Sequence, residues 1–284
     1  MQFPDRQLSE ILAGTPRRIR RAILEACAAS GEGHLASALS CVEILVTLYH
    51  GGFLHHVDPT NPADPERDRF ILSKGHAAIA LYAVLADRGF FPAEELTTFC
   101  AAGSRLGPHV EAIVPGVEVT TGSLGHGLSI ATGMAFAAQQ DGARHDVVVL
   151  LGDGECYEGS IWEAAMFAGH HELRRLFAII DCNRMCATDW TSQVVRVEPL
   201  FARWAEFGWD VRVTDGHSLT QLSYQLNDLR RATSPRPKLL IAETTKGQGI
   251  PFMVHHPEWH SRKLSPAEIE QARLELQDPI PCPH

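Results

Sequence analysis

Residues 146–151, Asp-Val-Val-Val-Leu-Leu, and residues 176–180, Leu-Phe-Ala-Ile-Ile, are short apolar runs rich in branched side chains. Such runs suit strands buried on both faces of a sheet. Segments starting at Arg69, Trp209 and Lys238 predict three more strands. Between them the apolar positions shift to helical spacing. Ile19, Ile23, Leu24 and Cys27 share one face of a helix over residues 16–29, with arginines opposite and Pro16 in its first turn. A second helix runs through Val42, Leu45, Val46 and Leu48, and a third through Leu81, Val84 and Leu85. Others are predicted over 92–100, after Gly127, over 200–208 with Phe201 and Trp204, over 219–232, and over 266–276 as a charged peripheral helix. Ser160 and Glu163 have the spacing of a capping box, which predicts a helix starting at Ile161. Strands alternating with helices predict an α/β fold, a mainly parallel sheet with helices on both faces. No long linker or repeat interrupts residues 1–284, so one domain is expected, with a tail from about 245 to 284.

The polar residues that punctuate this pattern gather at strand ends. Gly152-Asp153-Gly154 follows one buried run and Asp181-Cys182-Asn183 follows the next. Asp153 and Asn183 therefore lie beyond the carboxyl ends of strands joined by one helical crossover, the edge where open α/β sheets bind ligands. A carboxylate, an amide and tight glycine turns can hold a hard divalent cation and admit a phosphate. His34 falls at a turn between helices, and His76 at a strand-to-helix junction on the same edge. Thr121-Gly122-Ser123-Leu124-Gly125-His126-Gly127 opens a helix with glycines that let a backbone approach a diphosphate.

Composition narrows the classes. The 284 residues are 45% hydrophobic and 21% charged, ordinary for a soluble globular chain. A net charge of -9 argues against nucleic acid as the main partner. Seven cysteines contain no Cys-x-x-Cys pair, which fits reduced, partly buried thiols. The start, Met1-Gln2-Phe3-Pro4-Asp5-Arg6, lacks the features of a signal peptide, and no apolar run is long enough to span a membrane. The expectation is a cytoplasmic protein with no membrane partner. Fifteen histidines raise the question of zinc, but His-Glu-x-x-His and close Cys/His clusters of the usual spacing are absent.

Gly152-Asp153-Gly154 with Asn183 thirty residues after the aspartate resembles the thiamine diphosphate signature, and the whole chain resembles the amino-terminal, diphosphate-binding half of transketolases. Further landmarks occur in the family's order: Gly33-His34, Ser73-Lys74-Gly75-His76, Gly107-Pro108-His109, residues 121–127, Asp215-Gly216-His217, Thr245-Lys246-Gly247 and Trp259-His260. The resemblance implies that Asp153, Asn183 and the Met185 carbonyl ligate Mg2+ (or Ca2+), which bridges the cofactor's phosphates. It places His76, Gly122, Ser123, Leu124, Gly125, His126, Gly152, Gly154 and Glu155 at the cofactor, with Gly127 and Glu158 in support, Glu158 in a network between subunits. It gives His34, His109 and His260 catalytic or substrate-binding roles, in a reaction that moves a two-carbon ketol unit from a ketose to an aldose, often as sugar phosphates.

Family enzymes are usually about twice this length, and their second domain brings the glutamate that activates the aminopyrimidine. No carboxylate of this sequence matches it. The resemblance thus implies a split enzyme, an α2β2 assembly in which a separate carboxyl-terminal subunit binds the pyrimidine. Gly33-His34-Leu35-Ala36-Ser37 departs from the transketolase pattern Gly-His-Pro-Gly toward that of 1-deoxyxylulose-5-phosphate synthase, whereas Lys246-Gly247-Gln248-Gly249 and Trp259-His260 lean back to transketolase. A synthase-like half, or a non-catalytic subunit that kept the fold, are the alternatives.

Overall fold

The computed structural model describes residues 6–277, so the reading of the first five residues and of the chain end at His284 falls outside the described residues. Five parallel strands form the sheet: β1 (Arg69–Leu72), β2 (Val147–Gly152), β3 (Leu176–Cys182), β4 (Asp210–Asp215) and β5 (Lys238–Glu243), in the order β1-β2-β3-β5-β4. Helices cover both faces, as the alternation predicts: α1 (Arg6–Ser30), α2 (Leu35–Ser40), α3 (Val42–Tyr49), α4 (Ala78–Asp87), α5 (His126–Gln140), α6 (Gly159–His170), the single turn α7 (Thr191–Val194), α8 (Leu200–Glu206), α9 (Leu219–Arg231) and α10 (Pro266–Glu275).

Strand side chains alternate between two cores. Val148, Leu150, Phe177, Ile179 and Leu240 pack with α1–α4, α9 and α10. Val147, Val149, Leu151, Ala178, Ile180 and Ile241 pack with α5, α6, α8 and the buried Trp204 and Trp209. Every central strand is thus buried on both faces, which is why these segments are apolar throughout rather than alternating. The register sets Gly152 opposite Asp181 and Asp181 opposite Ala242, so β2, β3 and β5 end in line and present their following residues to one edge.

Two local expectations are corrected. Pro16 lies inside α1, which already includes Arg6, rather than in its first turn; the ring merely leaves the Leu12 carbonyl without its usual amide partner. Helix α6 starts at Gly159 with Glu158 as its cap, and the Ser160–Glu163 box does not form. The Ser160 hydroxyl instead donates 3.0 Å to the Gly125 carbonyl, so a tertiary contact displaces the local one. A capping box does form where none was expected, between Ser265 and Glu268 at the head of α10.

The opposite, amino-terminal edge of the sheet is closed by one arginine. Arg230 donates to Asp146 (2.9 Å), to Asp68 (3.3 Å) and to the Phe53 carbonyl (2.6 Å), while its guanidinium lies 3.8 Å over the Phe53 ring. Asp68 and Asp146 are buried, so removing the arginine takes their shared cation away and leaves Asp146 only the Arg175 guanidinium at 2.8 Å. Arg230→Met should lower unfolding stability by about 3 kcal/mol, the scale for breaking a buried ion pair. Urea denaturation measures this, and an unchanged midpoint would show the clamp to be dispensable.

Candidate active site

The carboxyl edge of the sheet carries a buried polar core. Asp181, at the end of β3, is wholly buried and accepts hydrogen bonds from the Lys74 ammonium, from Ser40 Oγ (2.6 Å) and from Thr244 Oγ1. Lys74 follows β1 and also donates to the Ser37 carbonyl (3.1 Å). Burial alone would disfavour both charges; their mutual attraction wins, holding the Asp181 carboxyl below and the Lys74 ammonium above their ordinary values.

Asp153 and the 183–185 loop meet beside this pair. The Asp153 carboxylate accepts the Gly154 amide at 2.8 Å and the Arg184 amide at 2.5 Å. Asn183 Oδ1 accepts the Met185 amide at 3.1 Å, and Arg184 between them has a left-handed backbone, φ +63°. Asp153, Asn183 and Met185 are therefore brought together as expected. Burial, and then the neighbouring Asp181 charge, push the Asp153 carboxyl up to about 7. Its carboxylate makes no ion pair among the described residues, and Lys74 is hydrogen-bonded to Asp181 instead. A carboxylate, an amide and a backbone carbonyl in such a place suit a hard divalent cation, whose charge would relieve this penalty.

Four imidazoles converge on the same edge from four separate segments. The His34 ring centroid lies 5.4 Å from that of His76, 5.9 Å from His109 and 5.1 Å from His260, and His76 lies 5.3 Å from His260. His34 precedes α2, His76 follows β1, His109 comes from the irregular segment between Thr98 and His126, and His260 from the tail. Tyr82 secures the His109 loop by donating 2.8 Å to its carbonyl and accepting the Glu111 amide at 3.1 Å. Lys246 Nζ stands between the groups, 3.0 Å from the Cys186 carbonyl and 2.9 Å from His260 Nδ1. Burial, then neighbouring rings and the two lysines, lower His34 and push His76 well below the ordinary imidazole range. Burial and Lys246 lower His260 to about 3. These three rings are thus neutral at pH 7, able to donate or accept a proton. His34 Nδ1 is buried without a hydrogen-bond partner among the described residues, a polar atom that a bound group would satisfy.

The remaining expected residues divide. Gly122, Ser123 and Leu124 form the turn before α5, and His126 is exposed at its first position. Gly125 has φ +88°, and a Cβ there would fall 2.6 Å from Glu158 Cβ and from Ser160 Oγ. A Cβ on Gly127 would meet Ser73 Oγ at 2.3 Å. The close approaches that demand glycine at these two positions are thus to protein side chains. Glu155 is buried and accepts from Ser73 Oγ (2.5 Å), Gly125 N (2.9 Å) and Gly152 N (3.0 Å). It acts as a strut joining the turn after β2 to the head of α5. Glu158 is exposed at the cap of α6.

Sequence reasoning assigned no role to Lys74, Asp181, Lys246 or His217, although all stand in landmark motifs. The available signal was a polar side chain within three residues of a strand's carboxyl end. His217 belongs to a second buried network: Arg20 donates two hydrogen bonds to Glu43 (2.6 and 2.8 Å), and His217 Nδ1 lies 3.0 Å from the same carboxylate. His217 Nε2 accepts the Thr245 amide at 2.8 Å and Arg20 Nε donates to the Gln248 carbonyl at 2.9 Å, so the network pins the turn that carries Lys246. Its partners hold the Glu43 carboxyl at about 2 against burial, compared with an ordinary 4.5. A depressed folded-state pKa means stability that is present above the unfolded value and lost as pH falls through the folded one, here between 4.5 and about 2. Glu43→Gln should be less stable than the parent by about 3 kcal/mol at neutral pH. The gap should close across that acid window in denaturant melts; a gap independent of pH would rule out the charge as its source.

Residues 15–279 match the family described as transketolase, thiamine diphosphate binding domain. The chain is 41% identical over 260 residues to the 6-deoxy-6-sulfo-D-fructose transketolase subunit of Clostridium sp. (strain MSTE9), covering 91% of this chain and 94% of the relative. It is 40% identical over 261 residues to an apulose-4-phosphate transketolase subunit of Phocaeicola vulgatus, covering 92% of each. Its fold superposes on the crystal structure of transketolase from Campylobacter jejuni with a TM-score of 0.88 at 28% identity, over 96% of this chain but 44% of that one. The chain thus spans less than half the length of that transketolase.

Proposed function

The chain belongs to the transketolase family, as its thiamine diphosphate-binding domain, and we propose that it is the amino-terminal subunit of a split transketolase. The observation that carries this reading is the convergence, on one sheet edge, of a hard-donor set and a cluster of imidazoles. Asp153, Asn183 and the Met185 carbonyl would hold Mg2+ (or Ca2+) against the diphosphate, with His76, the turn 122–126, Gly152 and Gly154 around it. Thiamine diphosphate supplies the reactive carbon that carries a two-carbon ketol unit from ketose to aldose. His34, His109 and His260 would bind sugar hydroxyls, move protons to and from them and stabilise developing alkoxide charge. The substrates would be sugar phosphates or related ketoses and aldoses. Relatives named for a sulfo-sugar and for apulose 4-phosphate favour a specialised pathway over a housekeeping one.

The partner would be a separate pyrimidine-binding subunit, in an α2β2 assembly, and one face of the fold suits an interface. Helix α5 contains no Asp, Glu, Lys or Arg, and α6 contains only Glu163. Together they expose Ile130 (36%), Met166 (49%) and Phe167 (41%), with Glu158 at the margin. Adjacent helices with one charged residue between them and exposed large apolar side chains mark a covered surface. The protein would act as a single domain in the cytoplasm; the six described cysteines are free thiols, and no helix among the described residues is long and apolar enough to cross a membrane.

Mixed with its complementing subunit, the chain should bind thiamine diphosphate only when Mg2+ is present, and catalyse ketol transfer that neither subunit performs alone. Asp153→Asn should weaken that binding at least about tenfold by calorimetry, because an anionic ligand of a hard cation becomes neutral; full retention would remove Asp153 from the metal site. Met166→Glu should abolish assembly on gel filtration while leaving the melting temperature of the isolated chain within about 2 °C, as expected for an exposed position. Undisturbed assembly would place the interface elsewhere.

A further inference from the structure

The contact between Lys246 and His260 bears on where the imidazole carries its proton. Lys246 is 2% exposed, and its flanking backbone is tied down by the Thr245 amide on His217 and the Gly247 amide on the Ala36 carbonyl (3.0 Å). An ammonium has three donors and no acceptor. Its 2.9 Å contact with His260 Nδ1 therefore requires that nitrogen to accept, with its proton absent. The Ser37 hydroxyl, 3.5 Å from the same nitrogen, can serve there as a second donor. A neutral imidazole whose Nδ1 accepts carries its proton on Nε2. Nε2 makes no hydrogen bond among the described residues, and the ring stands 5.1 Å from His34 and 5.3 Å from His76.

We propose that Lys246 is a positioning residue that holds His260 in its Nε2–H tautomer, so that His260 meets the substrate as a hydrogen-bond donor and not as a base. The proposal rests on the active-site reading above and adds a direction to it. A fixed N–H is suited to an oxygen that gains negative charge during the reaction, because the donor needs no reorientation as that charge develops. Proton removal from the substrate would then fall to another group of the cleft. Lys246 acts here without touching the sugar, through the ring it orients.

The tautomer can be read in the full-length chain from ring nitrogen and proton NMR signals of 15N-histidine-labelled protein, with His260 assigned by its loss in His260→Gln. The expected result is a single Nε2–H form in the parent, a mixture of tautomers in Lys246→Met, and return of the single form in Lys246→Arg, which keeps a donor. An Nδ1–H form in the parent, or an unchanged tautomer in Lys246→Met, overturns the assignment. In the two-subunit complex, His260→Gln places an amide N–H near the Nε2 position and His260→Asn places one near Nδ1. The glutamine variant should keep a kcat at least about tenfold above the asparagine variant, the lower side of what one positioned acid or base contributes. Equal rates, or the reverse order, refute a donor role. Absence of ketol transfer in the parent complex would defeat the functional reading and leave the NMR result to stand by itself.

Discussion

The buried pair of Lys74 and Asp181 holds the working edge of the sheet together. Through hydrogen bonds to Asp181, the ends of β1, β3 and β5 and the helix carrying Ser40 are joined at one carboxylate. Neither charge has water to fall back on, so each tolerates burial only because the other is present. That arrangement engages Lys74 at Asp181 and leaves Asp153, one strand away, with no ion pair among the described residues. The raised Asp153 carboxyl is thus partly a consequence of the charge on Asp181.

The same lysine reaches the other half of the cleft through its field. Lys74 and Lys246 lie close enough to the rings of His34, His76 and His260 to disfavour their protonation, and burial acts in the same direction. Anionic donors and neutral imidazoles therefore coexist on one edge because the carboxylates and lysines are distributed unequally along it. The tail that completes the cluster is held by Arg20, Glu43 and His217, which are far from it in sequence.

Much of the scaffold was legible because burial on both faces writes itself into sequence as continuous apolar runs, and all five strands appeared in their predicted segments. The placement of Asp153 and Asn183 at the sheet edge was legible for a related reason: each follows such a run. Local signals failed where a distant partner competed more strongly. Ser160 has the right neighbour at Glu163 to cap its own helix, yet its hydroxyl is taken by Gly125. Glycines 125 and 127 are also required by crowding that no local pattern announces, from Glu158, Ser160 and Ser73.

By itself the sequence determined the fold class, the edge on which chemistry gathers and the residue types present there, because strand periodicity and strand-end position are properties of the chain. Only the tertiary structure decided which charges pair, which imidazoles face one another and which donors surround His260 Nδ1. Those outcomes depend on distances between segments as remote as Lys74 and Asp181, or Ala36 and Gly247, and on the burial that makes each contact count. No local pattern encodes either quantity.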